Sequence, residues 1–456
     1  MRLAQNKINL KRVSLGLVLL MVAMLVATVP TGSAEVKAAT TPPKTGLICT
    51  TGTSPNPTFS LTAQSGYITL PDGNISFMWS YAPTGGTFQL PGPFLCVNEG
   101  DLVTIVLNNK LPEDTSIVIP GMEGVMANGV AAQPQFDTTN TLTSLTNVAK
   151  ANGGSITYTF TAGMPGTYLY ESGTDEGKQV NMGLFGALIV RPKATGLPVI
   201  PGTAYAYNRA DSIYNAGNEY VMITSELDPA LHQAVENGQA YDITQNHPRY
   251  WMINGRSFPD TIADNGAAWL TTQPYGAMVH MQPYDPSATS AYHYPAMVHY
   301  LNVGMLNHPF HPHGNHGRVI GRDARPLASP AGDDLSYEKF LILLGSGQTW
   351  DVLYQWSDEY HWNAATNPIP VTVPQLQNLT FKGGITWYSG SPYLGVQDGL
   401  PTGTTSYNQC GEYYQVWHSH ALNEAANYDL GFGGMFTLQR IDPPMAQQVS
   451  NNRLCN

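Results

Sequence analysis

The sequence predicts an all-β protein made of short strands joined by turns. Its 456 residues include 45 glycines, 34 prolines and 25 tyrosines, whereas only 12% of its residues are charged. Glycine and proline occupy turns and tyrosine favours strands, so this composition is typical of a β protein. Residues 102–107 and 156–160 carry the β-branched and aromatic side chains of such strands. A chain of this length can form two or three domains, each with its own core.

The charge of the chain argues against a nucleic-acid partner. The formal net charge is -11 at pH 7. We find neither a basic stripe nor an acidic run along the sequence. Binding to phosphates requires clustered lysine and arginine, so we expect no nucleic acid among the partners.

Residues 1–38 predict a signal peptide. Basic residues at Lys7–Arg12 precede an apolar run at Val13–Val29, and Thr31–Ala34 offers small residues for cleavage. An uncleaved membrane anchor is the alternative, because the apolar run is nearly long enough to span a thinned bilayer. Both readings place the body of the protein outside the cytosol, either secreted or at the cell surface.

The cysteines fit an oxidising compartment. The chain has four, at Cys49, Cys96, Cys410 and Cys455, and none forms a Cys-x-x-Cys motif. Four cysteines permit three pairings, of which Cys49–Cys96 with Cys410–Cys455 is the simplest. We therefore predict disulfides rather than thiolate ligands for a metal.

Changes in composition divide the chain into segments. Residues 45–192 alternate strand-like runs with turns, residues 193–218 resemble a linker, and a second β region covers residues 219–443. Within that region, residues 361–411 are rich in proline, glycine, asparagine and threonine and predict a long surface insertion. Residues 444–456 form a C-terminal tail.

The two β regions repeat one pattern. Gly166–Gly173 leads to Gly183–Arg191, and Gly411–His420 leads to Gly431–Arg440. Each pair gives an aromatic strand, a short polar tip, a loop, a glycine-rich turn and a closing strand. Two copies of one β-sandwich explain the repeat.

Two pairs of histidines indicate a metal site. An extended strand places residues i and i+2 on the same face, so His311 with His313 and His418 with His420 can each direct two imidazoles to a common point. Imidazole is the commonest protein ligand for copper and zinc. Glu171 occupies the position in the first repeat that His418 occupies in the second. We expect it to complete the metal shell or to act as a general base.

Several segments resemble the multicopper oxidase family, whose members are built of cupredoxin domains. The most specific are the pattern His-Pro-x-His-x-His-Gly at His308–Gly314 and the His-x-His at His418–His420. Matching framework segments elsewhere are Gly92-Pro93, Glu99–Asp101, Asn109–Ile117, Gly166–Tyr170, Gly183–Val190 and Ile253–Gly255. The resemblance implies two cupredoxin-like Greek-key β-sandwich domains, the second enlarged by the insertion. It also assigns His308 to a type 1 copper position, His311 to type 2, and His313, His418 and His420 to type 3.

The sequence departs from the family at four places. Val118–Gly121 replaces the family's His-Trp-His-Gly, and Glu171–Gly173 replaces a His-Ser-His. Ser419 replaces the type 1 cysteine, and Glu424 stands where the second type 1 histidine is expected. A serine hydroxyl cannot replace a thiolate in electron transfer. Reduction of oxygen by the family's route also needs three coppers held by eight histidines, so we do not expect a competent laccase.

Three functions remain open at this point. The first is a metal-binding protein with one ion, most simply copper, held by the four imidazoles, although zinc, iron and manganese suit the same ligands. It would act on an unknown small molecule if it is an enzyme. The second is a non-catalytic extracellular scaffold that binds a protein or other partner, in which the histidines form a hydrogen-bonded polar cluster. The third is an oxidoreductase with atypical electron entry. Two-domain relatives assemble their copper cluster across the subunits of a trimer, so the resemblance implies either a homotrimer or a single polypeptide that closes the site itself.

Overall fold

A computed structural model describes most of the two β regions. The described residues are 43–281, 284, 294–356, 413–428 and 430–441. The predicted signal segment, the insertion at 361–411, the tail at 444–456 and the cysteines Cys410 and Cys455 lie outside them. Within these described ranges, no helix is long and apolar enough to cross a bilayer.

The first half of the chain forms a β-sandwich. Its strands are β1 (Thr50–Thr51), β2 (Thr58–Thr69), β3 (Ile75–Pro83), β4 (Leu95–Asn98), β5 (Leu102–Asn109), β6 (Met126–Ala127), β7 (Val130–Ala131), β8 (Gln135–Phe136), β9 (Leu142–Ser144), β10 (Ser155–Thr161), β11 (Gly166–Glu171) and β12 (Phe185–Arg191). One sheet has the strand order β1-β4-β12-β11 and the other has the order β3-β2-β5-β10-β6-β7. The short helix α1 (Glu176–Gln179) lies between β11 and β12.

Alternating side chains explain why the two sheets pack together. In β5 the buried residues Val103, Ile105 and Leu107 alternate with more exposed ones, and β10 follows the same period of two. Their buried faces join one apolar cluster with Trp79 and Tyr81 from β3. The two strands predicted from the sequence at residues 102–107 and 156–160 are therefore confirmed.

A disulfide fastens the start of this sandwich. Cys49 and Cys96 are bonded, with their Cα atoms 5.5 Å apart, and the bond closes a separation of 47 residues. Cys96 lies in β4, which pairs in parallel with β1. The first of the two predicted pairings is confirmed, while the pairing of Cys410 with Cys455 lies outside the described residues.

The stretch expected to be a linker is ordered. It contains the hairpin β13 (Thr203–Tyr205) and β14 (Ile213–Asn215), with a 3-10 turn at Ala210–Ser212. Tyr207 and Tyr214 in this stretch are buried in an apolar cluster with side chains of the second half. The stretch therefore packs against the following domain instead of merely connecting the two.

The second half forms another two-sheet sandwich. Its strands are β15 (Glu219–Leu227), β16 (Tyr250–Ile253), β17 (Val279–Met281), β18 (Ala296–Asn302), β19 (His308–Pro312), β20 (Gly317–Arg322), β21 (Arg325–Pro326), β22 (Tyr337–Lys339), β23 (Ile342–Leu344), β24 (Thr349–Tyr354), β25 (Tyr413–Ser419), β26 (Ala426–Asn427), β27 (Leu430–Gly431) and β28 (Phe436–Ile441). Helix α2 (Pro229–Glu236) and 3-10 turns at Ile243–Gln245, Asp260–Ile262 and Leu422–Glu424 connect them.

The sheets of the two halves correspond strand by strand. The order β3-β2-β5-β10 in the first half matches β16-β15-β18-β24 in the second, and β4-β12-β11 matches β17-β28-β25. Glu171 in β11 lies opposite Phe185, as His418 in β25 lies opposite Phe436. The internal repeat predicted from the sequence is therefore visible in both strand order and register.

A buried charged network joins the two halves. His299 in β18 lies between two carboxylates, with Nδ1 2.8 Å from Asp351 and Nε2 2.9 Å from Glu219. From the first sandwich, Thr167 donates a hydrogen bond to Asp351, and Arg191 donates one to Glu219 at 2.9 Å. Burial alone would lower the pKa of His299, but hydrogen bonds to the two carboxylates raise it to about 9.

Candidate metal centre

Strand pairing brings the two histidine segments together. β19 and β25 are antiparallel neighbours, with His311 opposite His418 and Phe310 opposite Ser419. Phe310, Ser419 and Trp417 are fully buried, whereas His311 and His418 are partly exposed. Because successive side chains alternate across a strand, burial of the aromatic residues turns the imidazoles to the opposite face.

The four predicted imidazoles form one cluster on that face. Ring centroids lie 4.5 Å apart for His311 and His313, 5.2 Å for His313 and His418, and 5.7 Å for His418 and His420. The rings of His311 and His420 are 5.5 Å apart. His420 is exposed and the other three are partly buried, so the cluster opens to the surface.

Backbone carbonyls orient two of these rings. His311 Nδ1 lies 2.7 Å from the carbonyl oxygen of Phe340, and His418 Nδ1 lies 2.7 Å from that of Ser419. A carbonyl oxygen only accepts hydrogen bonds, so each Nδ1 carries the proton. In the neutral ring Nε2 then carries the lone pair, as in most metal-bound histidines. In His418 this nitrogen lies within hydrogen-bond distance of His313 Nε2.

Two ring nitrogens already have the spacing of two ligands of one ion. His313 Nε2 and His418 Nε2 are 3.2 Å apart. Nitrogens about 2.0 Å from one metal at a tetrahedral angle stand about 3.3 Å apart. Within the part of the chain that the structure describes, no group of three or more His, Cys, Asp or Glu side chains is placed so that it could hold a metal ion. The four rings are therefore close together, but at most two of their nitrogens have the spacing of ligands to one ion.

The environment keeps two of the imidazoles neutral. Burial lowers the pKa of His313 to about 4, helped by the neighbouring rings of His311, His418 and His420. Burial also lowers the pKa of His418, with His311 and His420 acting in the same direction. A metal ligand must be unprotonated, so these two rings suit metal binding at neutral pH.

Glu171 lies in the first sandwich, and the structure does not join it to this cluster. Its backbone exchanges hydrogen bonds of 2.8 and 3.0 Å with Val118, so two of the segments that depart from the family pattern are neighbours. Burial, and then the charge of Glu176, raise the pKa of its carboxyl to about 7. The nearby Lys178 forms ion pairs with Glu113 and Asp175.

His308 belongs to a different cluster, on the core side of β19. Its Nδ1 lies 2.9 Å from Glu424 and its Nε2 lies 3.2 Å from Glu226. The contact of Nε2 with Glu226 is within ion-pair distance but does not have the geometry of a hydrogen bond. Burial alone would lower the pKa of His308, but the two carboxylates raise it to about 9. Ser419 donates to Glu424 at 2.5 Å.

These residues do not fit a type 1 copper. Such a site needs a thiolate sulfur. The Ser419 hydroxyl stands in its place and donates a hydrogen bond to the Glu424 carboxylate. Sequence reasoning identified His308, Ser419 and Glu424 but missed Glu226, which lies almost two hundred residues from Ser419. The available signal was a glutamate near the end of β15, a strand whose residues are all buried.

Three further histidines lie outside the imidazole cluster. His316 is exposed, with its ring 6.5 Å from that of Phe340. His280 is partly buried in β17. His299 is buried in the interdomain network.

Comparisons with known proteins agree with the fold. Residues 84–195 match the multicopper oxidase family model. The chain is 31% identical over 204 residues to a probable nitrite reductase-hydroxylamine oxidoreductase fusion protein of Kuenenia stuttgartiensis, covering 42% of this chain and 22% of that protein. It is 36% identical over 104 residues to L-ascorbate oxidase of Cucumis sativus, covering 23% of this chain and 16% of that enzyme.

A solved structure extends the likeness to most of the chain. The blue copper oxidase of Nitrosomonas europaea superposes with a TM-score of 0.54 at 18% identity, covering 84% of this chain and 85% of that one. The chain therefore matches the multicopper oxidase family over residues 84–195 and has a cupredoxin-type all-β fold, as its sequence predicted. The matched part spans less than a quarter of either curated relative.

Proposed function

We propose that this chain is a secreted relative of the multicopper oxidases that binds a single copper ion through His311, His313, His418 and His420. The observation that supports this most directly is the 3.2 Å separation of the Nε2 atoms of His313 and His418. Carbonyl partners orient His311 and His418 so that Nε2 carries the lone pair in each neutral ring. An all-imidazole set suits copper(II), and zinc, iron or manganese would be weaker candidates.

Copper at this site would supply one-electron redox chemistry or Lewis-acid activation of a small molecule. The chain itself contributes the imidazole nitrogens as ligands. The carbonyl oxygens of Phe340 and Ser419 orient two of the rings. The exposed position of His420 leaves the cluster accessible to a small molecule.

The proposed protein is not a competent laccase. The position of the electron-relaying sulfur is occupied by Ser419, whose hydroxyl is bonded to Glu424. Two of the family's four histidine segments are replaced by Val118–Gly121 and Glu171–Gly173. The remaining imidazoles suffice for one ion but not for the three-copper cluster that oxygen reduction requires.

We further propose that the site is completed in a homotrimer. Exposed apolar side chains border the imidazoles, with Phe340 61% and Leu343 50% accessible. Phe340 touches the ring of His311, and Leu343 lies opposite Pro309 in the strand pair. A neighbouring copy that covered these side chains could present its Glu171 to the cluster as a ligand or general base. Analytical ultracentrifugation tests this, because a monomer at micromolar concentration contradicts it.

Metal titration tests the central proposal. We expect wild-type protein to bind one copper(II) per chain, and His313→Ala and His418→Ala each to lose at least tenfold in affinity. His247→Ala is the matched control, because it removes an exposed histidine outside the cluster. Equal affinity in all four proteins would mean that copper binds elsewhere.

A binding scaffold without catalysis is the second candidate function. The exposed apolar side chains beside the imidazoles favour it, because such a patch suits a protein partner as well as a second copy. Well-folded wild-type protein that binds no metal in the titration would favour this second function over the first.

A further inference from the structure

The core side of the histidine strands carries a second, fully buried polar cluster. Glu226, His308, Ser419 and Glu424 are each no more than 3% exposed. They come from separate elements: β15, β19, β25 and the 3-10 turn Leu422–Glu424. Buried charges are costly unless they are paired and hydrogen-bonded, so the quality of their contacts decides whether the cluster stabilises the fold.

Every carboxylate in this cluster has partners. Glu424 receives the hydroxyl of Ser419 at 2.5 Å and lies 2.9 Å from His308 Nδ1. Glu226 lies 3.2 Å from His308 Nε2 and accepts the backbone N–H groups of Leu306 at 2.7 Å and Met305 at 3.2 Å. Both ring nitrogens of His308 therefore face carboxylate oxygens, and a neutral ring, with one N–H, could satisfy only one of them.

The backbone is shaped to admit the Glu226 carboxylate. A Cβ atom added at Gly304 would lie 1.9 Å from Glu226 Oε2, so a larger residue there would displace the carboxylate. Glycine at this position lets the turn before β19 close over Glu226. The backbone N–H groups of Met305 and Leu306 and the glycine at Gly304 thus support the cluster in addition to its side-chain contacts.

The cluster is tied to the imidazoles by the strands that carry both. His308 begins β19, which continues to His311, and Ser419 separates His418 from His420. A shift of β25 against β19 would therefore disturb both faces at once. The contacts of Glu424 with His308 and Ser419 oppose such a shift.

We propose that Glu226, His308 and Glu424 form a metal-independent clamp that holds β19 and β25 in the register needed by the four imidazoles. The three residues act as positioning residues and do not touch the metal. The positioning part of this inference rests on the proposed metal site, whereas the clamp itself does not. It gives a structural role to the position that holds type 1 copper in the family.

Nitrogen-15 NMR of metal-free protein tests the clamp without any substitution. We expect His308 to show two ring N–H protons that exchange slowly with solvent and persist in the presence of a strong chelator. A single ring proton, or loss of the signals on chelation, would overturn the clamp. This outcome is independent of whether the imidazole cluster binds copper.

Substitution of Glu424 tests the positioning role. Glu424→Ala should weaken copper binding about 10- to 100-fold and change the copper electron paramagnetic resonance spectrum. Glu424→Gln, which retains an acceptor for His308, should recover part of the affinity. Asp351→Asn is the matched control, because it breaks a comparable buried carboxylate–histidine contact in the interdomain network. Unchanged affinity in Glu424→Ala, or an equal loss in Asp351→Asn, would overturn the positioning role.

A metal-free readout covers the case in which wild-type protein binds no copper or Glu424→Ala does not fold. The ring signals of His418 and His420 in metal-free Glu424→Gln should move relative to wild type, and those in Asp351→Asn should not. Identical ring signals in wild type and Glu424→Gln would contradict the positioning role. Failure of copper binding alone would overturn the proposed function and leave this result standing.

Discussion

His311 and His418 lie directly opposite each other across the antiparallel strands β19 and β25. The residues next to them in the chain, Phe310 and Ser419, face the core of the sandwich and are fully buried. One strand pair therefore separates two polar clusters, with four imidazoles on the open face and a carboxylate–histidine cluster on the closed face.

Copper-loaded protein should not be blue. The intense colour of a type 1 centre arises from charge transfer between thiolate sulfur and copper(II), and Ser419 supplies no sulfur. We expect only the weak absorption of an imidazole-bound copper(II) ion in a visible spectrum. An intense charge-transfer band in pure protein would falsify the assignment of this position.

Folding stability should fall as the pH rises from about 6.5 to 9. The pKa of His299 is raised to about 9 in the folded protein, so the folded state holds its proton more tightly than the unfolded state, whose pKa is about 6.5. Its stabilising effect, of order 3 kcal/mol, is complete below pH 6.5 and lost above pH 9. Urea titrations across this range measure the effect.

His308 should contribute to the same pH window, because its pKa is also raised to about 9. In His299→Gln we therefore expect a shallower dependence of stability on pH rather than none. A His299→Gln variant with the slope of wild type would show that the interdomain network does not hold a protonated histidine.

Glu171 should destabilise the isolated chain at neutral and alkaline pH. Its carboxyl pKa is raised to about 7 in the folded protein, chiefly by burial, so stability falls as pH rises from about 4.5 to 7. Glu171→Gln should be more stable than wild type at pH 8 by up to about 3 kcal/mol. Chemical denaturation at pH 4 and pH 8 measures the difference, and equal stability at pH 8 contradicts it.

The same variant distinguishes the two roles of Glu171. If the Glu171 carboxylate completes the metal shell in a trimer, Glu171→Gln should lower the affinity for copper. Unchanged affinity in Glu171→Gln, measured on a confirmed oligomer, would remove Glu171 from the site.

Reduction of the Cys49–Cys96 disulfide should destabilise the protein without releasing metal. The bond closes a separation of 47 residues, for which chain entropy gives a contribution of about 4 kcal/mol. The Cys49→Ala/Cys96→Ala variant should therefore unfold at lower urea and keep its bound copper, as measured by elemental analysis. Loss of copper from the folded variant would mean that the disulfide supports the metal site.

Composition and short strand-like runs in the sequence predicted an all-β protein, whereas the cupredoxin-type fold was predicted from the family resemblance. The His-x-His spacing placed the two rings of each pair on one side of a strand. The repeat also placed Glu171 at the position equivalent to His418. That equivalence holds within each sandwich, but it carries no information on the distance between sandwiches, so it could not locate Glu171 relative to the cluster.

Buried charge networks were harder to predict because their members are far apart in sequence. His299 meets Glu219 and Asp351, 80 and 52 residues away, through strand order alone. Glu226 meets His308 for the same reason. Acidic residues in a buried strand, such as Glu219 and Glu226 in β15, indicate that partners exist but do not identify them.

Electron paramagnetic resonance of protein loaded with one equivalent of copper(II) tests the central claim most directly. We predict a single mononuclear copper(II) species with hyperfine coupling to at least two imidazole nitrogens, which disappears in the His313→Ala/His418→Ala double variant. A copper signal without nitrogen coupling, or one unchanged in the double variant, would contradict the account.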